Sequence, residues 1–418
     1  RSLLLALDLG YVLLVMGPAG VVYCMNYPVT ALSVAYFIIS TLLLPLMVQA
    51  FSCLVAWVIS LISSKMRNKN IITMVVSLLF LAAYFYLYSK MGDIISGLIA
   101  NGTAIAVAFK KYAFPAYYFG VGIAEHNLTY LLLYTVCTLA VFELVYAILS
   151  RSFRQITTAK KGTARIKYKE RSMHVSSPAA ALLRKDFRHF IGNPMYVLNA
   201  WMGEILLVVA CVAMLIKKDI LTEFLPILNG EGEIMGLILC VILCGLSCTN
   251  LITAPSISLE GKNLWIAQSI PVPAATVLRA KVKLQMLLCI PITALSALLM
   301  GIVLKLELLT FVLAVLVPAA FNLFTALLGV VVNLHFPKFD YINETVVIKQ
   351  SMSTMICMFG SMAVVLVLAL LYALLLSASV APTLFLAVCL VLLVIVCVLM
   401  WRYLGHGGST RFAALQAD

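Results

Sequence analysis

The sequence is dominated by runs of 20 or more apolar residues that contain almost no charge. A helix needs about 20 such residues to cross the hydrocarbon core of a bilayer. Apolar residues fill 64% of the 418 positions and charged residues 11%, whereas a soluble domain has about 45–50% and about 25%. No soluble fold of this length can bury so much apolar surface, which excludes a soluble domain, a disordered chain and a disulfide scaffold. The sequence therefore predicts an all-α polytopic membrane protein.

Ten of these apolar runs are long enough to form transmembrane helices. A further apolar segment, 94–109, is short and contains Gly97 and Gly102, so we expect it to be re-entrant or interfacial. The ten predicted spans are Leu3–Cys24, Val29–Ser63, Ile71–Ser89, Asn127–Ser150, Tyr196–Ile216, Ile234–Ala254, Leu284–Leu304, Leu308–Leu334, Ser351–Leu376 and Pro382–Trp401.

Basic residues are divided unequally between the two sides that these spans define. One side comprises the loops 64–70, 151–195, 255–283 and 335–350 and the tail from Arg402, and it holds 22 of the 29 Lys and Arg residues. By the positive-inside rule this side is cytoplasmic, and with ten spans both the start and the tail lie there. The formal charge of +13 is then explained by orientation in a cell membrane and not by binding to nucleic acid.

The long central loop separates three predicted parts of the chain. Residues 1–150 hold four spans, 151–177 form a basic linker attracted to anionic lipid, and 178–418 hold six spans and a cytoplasmic tail. From Pro178, apolar and basic residues recur with helical spacing, so we expect an amphipathic helix in the inner membrane interface. This predicted interfacial helix includes Arg184, Lys185, Asp186 and Phe187.

Comparison of the two halves at a fixed offset of 273 positions shows matched residues. The position of a proline inside a membrane helix is set by architecture, because neighbouring groups must satisfy the carbonyl that it frees. We therefore predict two parallel six-helix repeats, the first incomplete, with about a hundred further residues and two more spans expected upstream. The matches are Pro18 with Pro291, Pro45 with Pro318, Phe51 with Phe324 and Lys65 with Lys338, while Gln49 corresponds to Asn322.

Motifs of enzymatic chemistry are missing from the sequence. It contains no GxxxxGK[ST] to hold ATP phosphates, and no HExxH or GxSxG. Cys240, Cys244 and Cys248 share one helical stripe, but without His or carboxylate nearby they are better explained by small-residue packing than by a metal. We expect no catalytic residue, no metal site and no cofactor in this chain.

The most distinctive loop, Ser256–Lys281, lies on the basic side between two predicted spans. It combines the charged residues Glu260 and Lys262 with the apolar residues Trp265 and Ile270. Such a mixture is suited to docking on a soluble partner, with aromatic anchors inside and charges at the rim. A helix at the lipid interface has the same composition, and the pattern alone leaves both interpretations open.

Two segments carry a family resemblance: SLEGKNLW with SIPVPAATVLRAK (258–281), and NLHFPKFDYINE (333–344). They resemble the permease subunits of bacterial ATP-binding-cassette exporters, in the type-2-like group of Gram-positive bacteria that includes bacteriocin, killing-factor and peptide exporters. The segment PAGVVYCMNYPVTALSVAYF (18–37) resembles the first half of the same proteins. The first-half cytoplasmic motif of that group would precede Arg1.

The resemblance implies a separate ATP-binding subunit, in two copies, that binds ATP and Mg and pushes on coupling loops of this chain. The amphipathic helix would transmit that closure. For the second loop, a solvated cap joining two helices is an open alternative, and whether one chain or a dimer forms the pore is also open. The contacts implied are Glu260, Gly261, Lys262, Asn263, Trp265, Phe336, Pro337, Lys338, Asp340, Asn343 and Glu344.

Polar residues inside predicted spans point to a transport pathway, because a charged or amide group in hydrocarbon is costly. Glu204 lies deep in its helix and should face a cavity, pair with a cation or be protonated. Gln49 and Asn322 each follow a matched proline by one turn, whereas Glu143 lies where it can pair with a loop cation. We take Glu204, Gln49 and Asn322 as the pathway candidates.

The expected function is a permease subunit that moves a peptide or amphipathic substrate outward, using ATP hydrolysed by a partner. The alternative is a secondary transporter driven by an ion gradient, because internal repeats and membrane carboxylates fit both. Retention of an ATP-hydrolysing subunit distinguishes the two.

Overall fold

The computed structural model is helical throughout the part of the chain that it describes, apart from turns and one isolated bridge between Trp201 and Asn250. The chain divides into two compact units, Arg1–Glu170 and Arg171–Asp418, called unit 1 and unit 2. Helices suit a bilayer because they satisfy their backbone groups internally. The described residues are 2–26, 30–64, 69–100, 107, 110–111, 114–125, 127–158, 176–216, 232–377 and 379–416.

The described helices of unit 1 are α1 (Ser2–Asn26), α2 (Ala31–Ser64), α3 (Lys69–Ser89), α4 (Met91–Ala100), α5 (Phe114–Ala124) and α6 (Leu128–Thr158). The longest, α2, contains Pro45 and packs against α1, α5 and α6. Its Tyr36 and Ala50 are buried, as is Tyr134 of α6, whose hydroxyl donates to the carbonyl of Ser40 at 3.4 Å. These contacts make α2 the centre of unit 1.

The first described helices of unit 2 are α7 (Pro178–Gly192), α8 (Pro194–Ala200), α9 (Met202–Ile216) and α10 (Gly232–Ser247). A 3-10 turn (Ser258–Asn263) and α11 (Leu264–Ser269) follow. The remaining elements are α12 (Ala274–Val303), α13 (Leu308–His335), α14 (Glu344–Gln350), α15 (Met352–Leu371), a π turn (Tyr372–Leu376), α16 (Pro382–Gly405) and α17 (Gly407–Ala414).

The centre of unit 2 is α13, which packs against α10, α12, α15 and α16. Its side chains Leu327, Val330 and Leu334 are fully buried. A short turn joins α12 to α13, and the two helices pack against each other along their length. The beginning of α12 and the end of α13 therefore lie at the same end of unit 2, which we call the coupling end.

Seven described helical stretches are long and apolar enough to cross a membrane, as expected for a multi-pass membrane protein. A bent pair, Thr73–Ser89 with Met91–Gly97, forms an eighth stretch if it counts as one span. The predicted count of ten spans and the predicted repeat are not confirmed. Of the predicted re-entrant segment 94–109, residues 94–100 belong to α4, and most of the rest lies outside the described residues.

Two predicted spans have the wrong boundaries. The predicted helix Tyr196–Ile216 is interrupted at Trp201, and the predicted helix Ile234–Ala254 ends at Ser247. At the interruption, the backbone N–H of Leu251 donates to the carbonyl of Ala200 at 2.8 Å. The two chain segments thus leave helical geometry together and bond to each other, which keeps their buried backbone groups satisfied.

Candidate functional site

The first component of the site is α7, whose ends are defined by capping residues. Ser177 caps its beginning by accepting from the N–H of Ala180, and Pro178 fills the first helical position, where no N–H is needed. Asn193 ends α7 and caps α8 through its side chain. A helix thus begins and ends where the amphipathic pattern predicts one, and its buried residue Phe190 belongs to the face that packs against the rest of unit 2.

A cluster of four charged side chains joins α7 to the 3-10 turn and to α12. The Lys281 ammonium lies 2.8 Å from Glu260 Oε1 and 3.6 Å from Asp186 Oδ2. Lys185 Nζ lies 2.7 Å from Glu260 Oε2 and 3.9 Å from Asp186 Oδ1. The Lys281 side chain is only 3% exposed and that of Glu260 11%, so the cluster is largely buried and only Lys185 reaches the surface.

The cluster changes the acidity of Glu260. Burial by itself raises the pKa of this carboxyl, but the ammonium groups of Lys281 and Lys185 outweigh burial and lower the pKa from 4.5 to about 2. Glu260 is therefore a carboxylate at every physiological pH. It holds α7 and α12 together through charge-assisted hydrogen bonds.

The 3-10 turn depends on a glycine at position 261. Gly261 has a positive φ of 54°, a conformation that other residues rarely adopt. A Cβ at this position would lie 2.9 Å from the hydroxyl of Tyr341. That hydroxyl donates to the carbonyl of Leu259 at 3.2 Å. The loop that contains Tyr341 therefore contacts the 3-10 turn directly. Burial and the nearby carboxylates Glu344 and Glu260 raise the pKa of Tyr341, which keeps its hydroxyl a donor.

Asn333, near the end of α13, fastens the same turn. Its side-chain oxygen accepts from the N–H groups of Ile257 and Ser258 at 2.8 and 3.1 Å, and its amide donates to Ser258 Oγ at 2.7 Å. Ser258 Oγ in turn accepts from the N–H of Lys338 at 2.9 Å. The two loops that carry the family resemblance are thereby fixed to each other.

The exposed side chains of this end form what we call the coupling surface: Arg184, Lys185, Lys262, Asn263, Trp265, Ile266, Phe336, Lys338, Asp340 and Ile342. Trp265 is 64% exposed, and Phe336 and Ile342 are exposed as well. Glu260, Gly261 and Asp186 lie beneath the coupling surface and shape it. Glu344 is half-buried, where the side-chain amide of Asn193 donates to it and His189 lies 3.8 Å away.

The second component is a buried polar network between α9, α10, α12 and α13. The Glu204 Oε1 atom accepts from Asn250 at 2.9 Å and from Thr293 at 2.8 Å. Asn322 donates to Thr293 at 2.9 Å and to Ser247 at 3.0 Å. Two of the three predicted pathway residues, Glu204 and Asn322, are therefore brought together through shared partners.

Glu204 is 1% exposed, and among the described residues no cation pairs with it. Its Oε2 atom is buried without a hydrogen-bond partner there. Gln49, the third predicted pathway residue, belongs to α2 of unit 1, where its Oε1 atom is likewise buried and unpartnered among the described residues.

A chain of hydrogen bonds connects the ionic cluster to this network. Lys281 donates to the carbonyl of Ser256 at 3.0 Å, and Ser256 donates to the carbonyl of Thr253 at 2.8 Å. Gln285 accepts from the N–H and the hydroxyl of Thr253, and it donates to the carbonyl of Asn250 at 3.0 Å. Since Asn250 donates to Glu204, the path from the coupling end to the buried carboxyl is continuous.

Spacing along α12 explains this path. Lys281, Gln285, Cys289 and Thr293 are four residues apart and all buried, so they form one stripe of the helix. Sequence reasoning missed this stripe, together with Asn333, Asn250 and Tyr341. A polar residue at every fourth or eighth position of an otherwise apolar helix is the signal that could have found it.

The cysteines of α10 are separate from these polar groups. Cys240 and Cys244 of α10, and Cys248 directly after its end, are buried and free. In the described part of the chain, no group of three or more His, Cys, Asp and Glu side chains is placed to hold a metal ion.

Long apolar helices with a buried polar network between them define a multi-pass membrane protein. Residues 96–402 match the family model described as "Putative ATP-binding cassette", which covers well over half of the chain. The chain belongs to this family. Comparison with curated proteins gives no match, and comparison with solved structures gives none.

Proposed function

We propose that this chain is the membrane-spanning permease subunit of an ATP-binding-cassette exporter for a peptide or amphipathic substrate. In this proposal a separate subunit, in two copies, binds ATP and Mg, because the chain has no GxxxxGK[ST] sequence of its own. The family match and the apolar helices support a role in such a transporter. The proposed location is a bacterial cytoplasmic membrane, with the coupling end facing the cytoplasm.

The observation that carries the proposal is the construction of the coupling surface. It exposes two aromatic and two aliphatic side chains among cations, a composition suited to a soluble partner. Its two loops are held by buried side chains, Asn333 beneath one end and the Lys281 cluster beneath the other. A rigid surface of this kind can transmit a push from a partner instead of absorbing it.

We propose that the push travels along α12 to the polar network. Closure of the ATP-binding subunits would move α7 and the 3-10 turn, which Lys281 ties to α12. The stripe from Lys281 to Thr293 would then shift relative to Glu204 and Asn322. In the proposal these two residues line the pathway, with Gln49 as the counterpart of Asn322 in the first predicted repeat.

The test is retention of an ATPase by the full-length chain. The tagged protein is purified from membranes of its own host in mild detergent, and ATP hydrolysis and any chain carrying GxxxxGK[ST] are measured. Lys262→Glu combined with Trp265→Ala should reduce the retained ATPase about tenfold or more, as expected for loss of an interface hot spot.

A matched control lies at the other end of unit 2. Lys305 and Leu308 are a lysine and an apolar residue that are both exposed there. Lys305→Glu combined with Leu308→Ala should leave the retained ATPase unchanged. Equal losses in both double variants would refute the coupling surface, and a wild-type protein that never retains an ATPase would refute the exporter.

One observation favours the alternative of an ion-driven secondary transporter. Glu204 is a buried carboxyl without a cationic partner among the described residues, and such a group can serve as a cation or proton site. In that case, transport in vesicles would respond to an imposed ion gradient without ATP, and Glu204→Gln would abolish the response. An ATP-dependent exporter would instead remain inactive until ATP is supplied.

A further inference from the structure

Unit 2 contains an apolar pocket between α10, α13, α15 and α16 that is partly open to the outside. Only aliphatic, aromatic and thiol side chains line this one, and none bears a charge, an amide or a hydroxyl. A group bound there must therefore be one that needs no hydrogen bond.

Small side chains at regular helical positions create the space. On α10, Leu237, Cys240 and Cys244 recur at spacings of three and four and so share one face. On α16, Cys389 lies between Phe385 and Leu393 at spacings of four. A thiol occupies less volume than the leucine or phenylalanine on either side, so the three cysteines leave the gap that the larger residues surround.

The surroundings of the pocket indicate where its occupant comes from. On α16, Val388 is 49% exposed although the adjacent Cys389 is 7% exposed, and on α15 the residues Leu366 and Val367 are exposed as well. Both helices belong to stretches that are long and apolar enough to span a membrane. The outer faces that flank the pocket would thus contact lipid chains, and hydrocarbon can enter the opening without crossing water.

We propose that this pocket binds one alkyl chain of a bilayer lipid. The proposal does not depend on the ATPase partner. Phe321 of α13 lines the pocket and precedes Asn322 of the polar network, so the same helix presents one residue to the pocket and the next to the network. Below the pocket on α15, the helix changes to a π turn at Tyr372, a local widening that is frequent at functional sites.

The experiment uses the full-length chain in bilayers of a synthetic phospholipid that carries a photoreactive group on one alkyl chain. After illumination, the labelled residues are mapped by mass spectrometry. We expect label on Phe321, Leu368 and Phe385, and loss of that label in Cys389→Trp, which fills the pocket. The matched control Val388→Trp places the same side chain on the outer face of the same helix and should keep the pocket label.

Two outcomes would overturn the proposal. The first is label that is spread evenly over the outer faces and unchanged by Cys389→Trp. The second is label in the pocket from a photoreactive free fatty acid but not from the phospholipid, which would make the occupant a free amphiphile.

A second measurement covers the case in which Cys389→Trp does not fold. In the wild-type protein, removal of lipid by detergent should speed the reaction of Cys244 and Cys389 with N-ethylmaleimide relative to the protein in bilayers, because the alkyl chain no longer shields them. The exposed Cys24 serves as the reference thiol. Equal relative rates with and without lipid would also overturn the proposal.

Discussion

The two units share a central helix of the same kind but differ in how its polar residues are treated. In both, a long helix with an internal proline packs against the preceding proline-containing helix and against a later one, α2 on α1 and α6, and α13 on α12 and α16. In unit 2, Asn322 has hydrogen bonds to Thr293 and Ser247. In unit 1, Gln49, which like Asn322 follows a helix proline by four residues, has a buried oxygen without a partner among the described residues.

The comparison extends to charge. Unit 2 contains the buried cluster of Lys281, Glu260 and Asp186, whereas the ion pair Lys90–Asp93 of unit 1 is exposed, with side chains 48% and 76% accessible. The two central helices thus have similar neighbours, but the elements around each helix decide whether its polar groups are satisfied. The following predictions test this contrast.

The largest expected effect is that of Lys281→Met. The substitution removes the buried cation and leaves Glu260 and Asp186 with only the half-exposed Lys185, so we expect a loss of up to about 3–5 kcal/mol in the free energy of unfolding. Thermal unfolding in detergent measures the change, and thiol labelling during heating locates it, because Cys53 and Cys137 report on unit 1 and Cys357 and Cys397 on unit 2.

Two control variants accompany Lys281→Met. Lys283→Met changes an exposed lysine on the same helix, and Lys90→Met breaks the exposed pair of unit 1. Each should cost less than about 1 kcal/mol. A loss for Lys283→Met that equals the loss for Lys281→Met would contradict the role of the buried cluster.

The second prediction concerns acid. The pKa of Glu260 is about 2 in the folded protein, against 4.5 ordinarily, so the unfolded chain takes up the proton first as the pH falls. The stabilisation from this shift, about 3 kcal/mol, should be complete above pH 4.5 and disappear as the pH approaches 2.

The measurement is the difference in unfolding temperature between wild type and Glu260→Gln at a series of pH values. The difference should be constant from pH 7 to pH 5 and then shrink. Asp93→Asn, in the exposed pair of unit 1, should lie within about 0.5 kcal/mol of wild type at each pH. A difference for Glu260→Gln that stays unchanged down to pH 3 would show that the cluster does not hold Glu260 ionised.

A smaller effect is expected for Gly261→Ala. The positive φ is strained for alanine and the new methyl group meets the Tyr341 hydroxyl, so we expect a cost of about 1–3 kcal/mol. We also expect the purified Gly261→Ala protein to retain less ATPase than the wild type. Gly10→Ala in α1 of unit 1, where an added Cβ meets no atom within 4 Å, should be neutral or slightly stabilising. Equal losses in the two variants would argue against the special geometry of the turn.

The smallest expected effect on stability distinguishes the amide side chains of Asn322 and Gln49. Asn322→Leu removes hydrogen bonds to Thr293, Ser247 and Asn250 and should destabilise the protein by about 1 kcal/mol, the usual range inside membranes. Gln49→Leu removes a buried oxygen that has no partner among the described residues, and it should be neutral or stabilising. The unfolding temperatures of the two variants test this prediction. A larger loss of stability for Gln49→Leu than for Asn322→Leu would contradict the difference between the two units.

Much of the fold was predictable because hydropathy is a local property. The helices α2, α6, α13 and α16 follow apolar runs that were recognisable in the sequence, and α7 covers the amphipathic segment predicted from Pro178. The interruption at Trp201 was not predictable. Apolar residues continue through it, and the bond that defines it comes from Leu251, fifty residues away.

The candidate site was predictable only in part. The coupling loops and Glu204 stand out as charged or aromatic residues in an apolar sequence, but the burial of Glu260 depends on Lys281 and Asp186, which belong to other helices. Whether a residue such as Lys262 contacts a partner stays a prediction.

The sequence by itself determined that this chain forms apolar helices suited to a membrane, because the transfer of each run into hydrocarbon depends only on its own residues. Only the tertiary structure decided which polar groups meet. The bond from Thr293 to Glu204 joins residues 89 positions apart, and its formation depends on how α9 and α12 pack. Hydrogen bonds and ion pairs act over about 3 Å, so they are settled by the relative placement of whole helices.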